Sequence, residues 1–456
     1  MSLFHRAASR RVSSAALTLL AIAALGLDGC STVSRLNPFG SRNTPQSRAS
    51  AGTRVPVLAL NQQLQVSDAL RGQDFQIPPP AALAEWPLPG ANAEQSVENV
   101  DAAPAFQVAW RRGFGGGSNR RRHVTAPPVM AQGRVFVMDG QSTVAAIDAG
   151  SGREIWHTNI MPRSRRDREA WGGGIAFADG KLYVTSGFRE VVQIDAATGQ
   201  IGWRTRTDAP VHAAPTVSGG RVFAVSVDDD LLTFDAATGA TGWTYQALTE
   251  PARLIGASSP AIEGDTVVTA FASGEVIALR AQNGNDLWNT PLNEQSRVNA
   301  LSEIRDIVGR PVIYHGDVFA ASHAGAFAAI DLRTGQPRWT VPVSSISTPW
   351  AAGDVVYVMS RAGEVVCVAR ESGQVYWIHD MNAGRRGRRR PIWTGPILAS
   401  NRLIVVSSQG EAVALDPKTG APTATIRVGG PVLIEPIAVN GMVYIVTDNA
   451  QLVAIR

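Results

Sequence analysis

The sequence predicts an all-β fold, a closed eight-bladed β-propeller with four-stranded blades over residues 104–456. Three observations point there. First, a unit of the form P-x-V-x-x-G-x-V-[FY]-V, then G-x-[VL]-x-A-[IL]-D-x-x-T-G-x-x-x-W, recurs along this stretch. Its aspartate position falls at Asp148, Asp195, Asp235, Arg280, Asp331, Arg370, Asp416 and Arg456, in steps of about 39 to 51 residues. Second, a tryptophan stands four residues after the unit's glycine at Trp156, Trp203, Trp243, Trp288, Trp339 and Trp377. Third, the last unit stops at Arg456 with no outer strand, and Phe106–Trp110 precedes the first full unit as an outer strand with its tryptophan but no anchor. The two fragments complete one blade, which closes the ring and removes an exposed edge.

Each part of the unit has a physical reason. Arg134–Met138 and Arg221–Val225 are rich in β-branched and aromatic residues and read as strands. Asp139-Gly140 and Ser273-Gly274 read as hairpin turns. In Asp195-Ala196-Ala197-Thr198-Gly199 the carboxylate can bond backbone N–H groups two residues on, and the glycine supplies a positive φ. Trp110 and the six tryptophans above are expected to pack blade against blade, because each buries a large apolar area at a fixed place in the repeat.

The N-terminal region differs in kind. His5, Arg6, Arg10 and Arg11 precede an apolar run from Ala15 to Leu27, too short to span a bilayer and suited to a signal peptide over residues 1–29. Leu27-Asp28-Gly29-Cys30 resembles a bacterial lipobox, which implies that Cys30 is lipidated and anchors the protein to a membrane. Ser31 after it implies, by the same resemblance, sorting to the outer membrane. Residues 30–103 are rich in Ser, Gln and Pro without a sustained period, and read as a flexible tether in which Phe75 and Trp86 are candidates to lie against the body.

Composition excludes several function classes. The 44 glycines and 27 prolines fit many turns and few long helices. A formal charge of +4 over 456 residues does not mark a nucleic-acid binder, and a secreted protein has no nucleic-acid partner to expect. The two cysteines form no disulfide framework, and Cys367 lies in the strand-like Val365–Val368 as a core thiol. The seven histidines show no metal-ligand spacing, so no metal is expected. The glycine-rich runs 113–117 and 172–174 open no predicted helix, which removes the phosphate-loop reading. No catalytic residue and no cofactor are expected.

The A-x-D-x-x-T-G-x-x-x-W signature, plain in Asp195–Trp203 and Asp235–Trp243, resembles the tryptophan-docking motif of quinoprotein propellers. Within that group the chain resembles the outer-membrane protein assembly factor B (BamB-like) lipoproteins. The resemblance implies a non-enzymatic scaffold on the periplasmic face of the outer membrane that docks the POTRA domains of a barrel-forming subunit, with other assembly lipoproteins as further partners. It implies docking through two neighbouring outer-to-inner (D–A) segments, with Leu254 and Ile255 in one and Leu301, Ser302, Glu303, Arg305 and Asp306 in the other. A quinone-dependent dehydrogenase-like protein and a cell-wall or polysaccharide-binding propeller stay open as alternatives.

Arginine clusters occupy other D–A segments. Arg120, Arg121 and Arg122 enter blade one; Arg163, Arg165, Arg166 and Arg168 enter blade two; Arg385, Arg386, Arg388, Arg389 and Arg390 enter blade seven. On a closed ring these are close neighbours, roughly opposite the docking segments at blades four and five. Together they form a basic patch suited to anionic headgroups or an acidic partner, or a solvated charged surface.

Overall fold

The computed structural model describes residues 64–162, 170–250, 254, 258–292, 306–385 and 390–456. Short β-branched runs separated by tight turns give eight four-stranded antiparallel sheets. Blade one comprises strands A to D at Val129–Ala131, Arg134–Met138, Thr143–Asp148 and Glu154–Asn159, numbered from the inner strand outward. Blades two to seven repeat that order, beginning at Ile175, Thr216, Ala261, Val312, Trp350 and Trp393. Strands B and C are almost wholly buried, whereas the outer strand alternates, as in the half-buried and exposed positions of Glu154–Asn159.

Blade eight closes the ring as expected. Its strands A to C are Ile437–Val439, Met442–Val446 and Gln451–Ile455, and its outer strand is Val108–Gly113, paired through Val108 with Ile455 and Gly113 with Gln451. All eight blades are thus four-stranded.

Six of the eight blade joints have the same construction. The outer-strand indole lies over the turn glycine of the next blade, and its N–H donates to a backbone carbonyl there. Trp156 donates to Ala196 O at 3.1 Å, Trp203 to Ala236 O at 3.1 Å, Trp243 to Ala281 O at 3.1 Å and Trp288 to Leu332 O at 2.7 Å. The turn itself is held by its aspartate: Asp195 Oδ1 accepts from Thr198 N at 2.9 Å and from Thr198 Oγ1 at 2.8 Å. Bonds from Lys181 and then Thr198 hold the Asp195 carboxyl down at about 2. A threonine two residues past the tryptophan adds a second tie, as where Thr205 Oγ1 donates to Gly239 O at 2.6 Å.

The pairing corrects one anchor. Val355 pairs with Ala369 as Arg134 pairs with Asp148, so the anchor position of blade six is Ala369 and not Arg370. The turn has no aspartate there; Gly373 N still donates to Ala369 O at 2.9 Å, and Trp339 donates to Arg370 O at 2.7 Å. Backbone geometry maintains the turn without the side chain.

The joint between blades seven and eight departs from the rule, because the outer strand of blade eight is Val108–Gly113 and no C–D hairpin makes the turn. Residues 102–106 supply it instead: Ala103 N donates to Gly441 O at 3.0 Å, as Ala196 N donates to Gly180 O at 3.0 Å. Phe106 takes the glycine position with a φ of 47°, and Ala424 takes the tryptophan position on the neighbouring outer strand. Both belong to one apolar cluster. The large and small partners have exchanged sides. Arg402 Nη1 donates to Pro104 O at 3.0 Å, repeating the bond of Arg134 to Ala196 O at 2.9 Å.

A methyl group added at Gly239 would meet the Trp203 ring at 2.6 Å, whereas one at Gly264 meets nothing within 4 Å; both glycines have positive φ. Gly264→Ala should cost only the backbone term, about 1 kcal/mol. Gly239→Ala should cost a further ~1–3 kcal/mol from overlap at the joint. Denaturant unfolding of the two variants checks this; equal midpoints would deny the indole its packing role.

Candidate partner-binding face and the plugged channel

The D–A segments and the B–C turns share one face, and the turns that carry Asp195 and its equivalents share the other. The inner strands surround a central channel whose two ends are unlike. On the Asp-turn face, residues 81–103 are laid into the channel and bond to every blade. Trp86 exchanges backbone bonds with Met130 of blade one at 2.6 and 2.8 Å. Pro87 O accepts from Phe177 N of blade two at 2.7 Å, and Gln95 Nε2 donates to Thr216 Oγ1 of blade three at 3.2 Å. Ala93 O accepts from Ile262 N of blade four at 2.7 Å and Glu94 O from Ile313 N of blade five at 2.9 Å. Glu98 O accepts from Trp350 Nε1 of blade six at 2.8 Å. Val100 N donates to Leu398 O of blade seven at 3.2 Å, and Leu83 O accepts from Asn440 N of blade eight at 2.7 Å.

The segment therefore acts as a plug over the part of residues 30–103 that lies in the channel. The two aromatics expected against the body are both buried: Trp86 of the plug, at 1% exposure beside Trp350, and Phe75 ahead of it, beneath Lys418. Composition alone could not reveal this, since each residue bonds with its backbone to a distant strand rather than with a periodic side-chain face. Inner-strand carbonyls and N–H groups facing the channel need partners, and an irregular strand supplies them.

The opposite end is a cavity of about 340 Å³ bordered by residues from all eight blades. Gln95 lies under its floor, donating to Pro260 O at 3.0 Å beside the lining Ser259. Across the mouth, Arg310 of the segment entering blade five pairs with Glu435 of the segment entering blade eight at 2.7 Å. Glu435 also accepts from Thr348 N at 2.9 Å. His212 stacks on Trp171 with ring centroids 4.6 Å apart, and burial pushes its imidazole down to about 4, so it is neutral at neutral pH.

Of the expected docking residues, the structure joins Leu254 and Asp306. Leu254 is half-buried and its N–H donates to Asp306 Oδ2 at 2.8 Å, while Asp306 O accepts from His323 N at 2.9 Å. Asp306 is 2% exposed, so it holds two segments together rather than presenting its carboxylate to solvent. Ile255, Leu301, Ser302, Glu303 and Arg305 lie outside the described residues, as do Arg163, Arg165, Arg166, Arg168, Arg386, Arg388 and Arg389. Cys30 also lies outside them.

Among the arginines, Arg120 and Arg121 are exposed and Arg122 half-buried, in a turn where Asn119 Oδ1 accepts from the N–H groups of Arg121 at 2.8 Å and Arg122 at 3.1 Å. Arg385 is tied to Glu411 at 2.8 Å and lies 5.0 Å over the Trp393 ring. Arg390 is exposed. The sequence reading missed three exposed aliphatic residues that border the cavity, Ile346, Ile392 and Leu433, and the Arg310–Glu435 pair. Their signal was available in part: each aliphatic lies in a D–A segment a few residues before an inner strand. Exposure itself cannot be read from a residue type.

No group of three or more His, Cys, Asp or Glu that could hold a metal occurs among the described residues. Cys367 is fully buried and burial pushes its thiol well above the usual range, as expected of a core thiol.

Trp86→Ala should empty the largest side chain of the plug, at about 3–5 kcal/mol. Hydrogen exchange should then rise at amides 81–103 before it rises in strands B and C. Simultaneous loss of protection everywhere would show that plug and blades unfold as one unit.

Comparison with known proteins places this architecture. The family model described as outer membrane protein assembly factor BamB matches residues 107–166, 140–379 and 380–456. The BamB of Salmonella typhimurium is 26% identical over 332 residues, covering 72% of this chain and 83% of that protein. The BamB of Escherichia coli K12 is 23% identical over 374 residues, covering 80% and 94%. Among solved structures, BamB from Moraxella catarrhalis superposes with a TM-score of 0.64 at 19% identity, covering 76% of this chain and 99% of that one. The quinohemoprotein alcohol dehydrogenase of Comamonas testosteroni superposes at 0.60 and 16% identity, covering 80% and 76%. The structural likenesses concern the fold.

Proposed function

We propose a role from the premise that this chain belongs to the outer membrane protein assembly factor BamB family: it is a non-enzymatic scaffold for assembly of outer-membrane β-barrel proteins. Lipidation at Cys30 holds it on the periplasmic face of the outer membrane, and its D–A segments entering blades four and five dock the POTRA domains of the barrel-forming subunit. The observation that carries the docking assignment is the bond from Leu254 N–H to the buried Asp306 carboxylate. It ties together the two segments that the reading requires to act as one surface. A surface built on loops gains affinity when those loops are held in place before the partner arrives.

The rest of the molecule supports a scaffold. Short, regular blades leave little chain for a substrate lid. The Asp-turn end of the channel is filled by the protein's own residues 81–103. Rigid blades with bonded turns are suited to holding a partner domain at a set distance from the membrane.

Replacing Leu254 and Glu303 together with alanine should abolish co-purification of the barrel-forming subunit while leaving the thermal midpoint in place. Undiminished co-purification would sink the docking assignment. Asp306→Asn should weaken capture to an intermediate degree, since it loosens the tie between the segments without removing a contact. Cys30→Ser should move the protein from the membrane fraction to the soluble periplasmic fraction; retention in the membrane would refute the anchor.

A further inference from the structure

We infer that the cavity at the D–A end of the channel is a second binding site, distinct from the Leu254–Asp306 surface although the segments entering blades four and five also border it, and that it takes an acidic peptide segment with apolar side chains, presented as a chain end or a turn. Apolar side chains are usually withdrawn from water, so a group of exposed ones marks an interaction surface. Ile346, Ile392 and Leu433 are 41%, 58% and 46% exposed and border the cavity from three successive D–A segments, those entering blades six, seven and eight. They ring a concavity, not a crest. A second cavity of about 390 Å³ adjoins it between blades six and seven and shares Ile346, Ile392 and Trp393.

Charge selects the partner. Arg361 and Arg390 line this second cavity, are exposed, and have no carboxylate partner among the described residues. Glu435 is the one carboxylate among the described residues lining the two cavities, and Arg310 engages it; Glu364 and Asp380 adjoin the wall, accepting from Ser360 Oγ at 3.1 Å and from Asn382 N at 2.8 Å. The lining therefore presents two guanidiniums without carboxylate partners beside apolar surface, which favours carboxylates flanking apolar side chains.

Shape selects how the segment is presented. Residues 81–103 fill the other end of the channel, so the occupant must enter and leave by one mouth. A chain end or a turn can do this; a threaded strand cannot. A flat bilayer cannot follow the concave wall, which favours a peptide over anionic headgroups.

The test uses the purified protein and a fluorescein-labelled decapeptide of two central leucines flanked by glutamates. Binding should be saturable, weaken with salt, and be lost when the glutamates are replaced by lysines. The double variant Ile392→Asp with Leu433→Asp should weaken it at least tenfold, and so should Arg361→Glu with Arg390→Glu. Ile201→Asp, on an outer strand, should leave it unchanged, as should Leu254→Ala, which separates this site from the docking segments. Equal binding of the lysine peptide, or no effect of either double variant at an unchanged thermal midpoint, would overturn the proposal. Capture of phosphatidylglycerol vesicles without binding of the glutamate peptide would overturn it in favour of a lipid surface.

Discussion

The structure depends on one contact made seven times: an indole laid over the glycine of the next blade's turn. The indole needs a neighbour with no side chain, because a Cβ at Gly199, Gly239 or Gly284 would stand within 2.7 Å of its ring. The glycine needs positive φ to end the turn, which the same absence of Cβ permits. The indole N–H needs an acceptor, and the turn presents a carbonyl outside the sheet ladder. One pair of residue types thus meets three requirements, of packing, backbone conformation and hydrogen bonding. The cost of changing either partner falls on the joint between blades rather than on a blade.

The eighth joint shows how much of this is geometry and how much is residue identity. No tryptophan and no glycine remain there, yet the joint closes with Phe106 facing a strand that carries Ala424 in the tryptophan position. What persists is the summed volume of the pair and the backbone bonds around it. The carbonyls of residues 103 and 104 still accept from Arg402, and Ala103 still donates to Gly441. The departure occurs where the N-terminal chain must enter the ring. A turn made by an incoming segment cannot rely on the residues of a hairpin. Trp110, at the next joint, departs less: Tyr444 Oη donates to the Ala149 carbonyl at 3.0 Å, and the Trp110 N–H has no partner.

Legibility in the sequence follows from this. The blades were readable because the joint repeats, and a repeated requirement leaves a repeated residue. Blade closure was readable because the fragments before residue 110 and after residue 440 each lacked what the other had. The blade-six anchor is Ala369 rather than Arg370 because the turn there persists without its aspartate, so the repeat leaves no side-chain mark at that position. The plug was illegible for the opposite reason. Each of its bonds is made once, to a different blade, mostly through backbone groups that every residue type carries. The aliphatic rim was hidden because Ile346, Ile392 and Leu433 are ordinary core residue types, and only the surrounding fold leaves them exposed.

The plug also divides the labour of the two faces. A propeller channel open at both ends would leave inner-strand polar groups to water and would give the D–A face no floor. Filling one end from the protein's own chain satisfies those groups and stiffens the ring, because residues 81–103 bond to blades that do not otherwise touch. Arg310 and Glu435 do the same at the other end, linking segments that enter blades five and eight across the mouth. Rotation of one blade against the next would have to break both sets. The D–A segments are therefore mounted on a ring held at two levels. Rigid mounting holds Leu254 against Asp306 at blades four and five, and it keeps the aliphatic rim at blades six to eight from collapsing into the channel it borders.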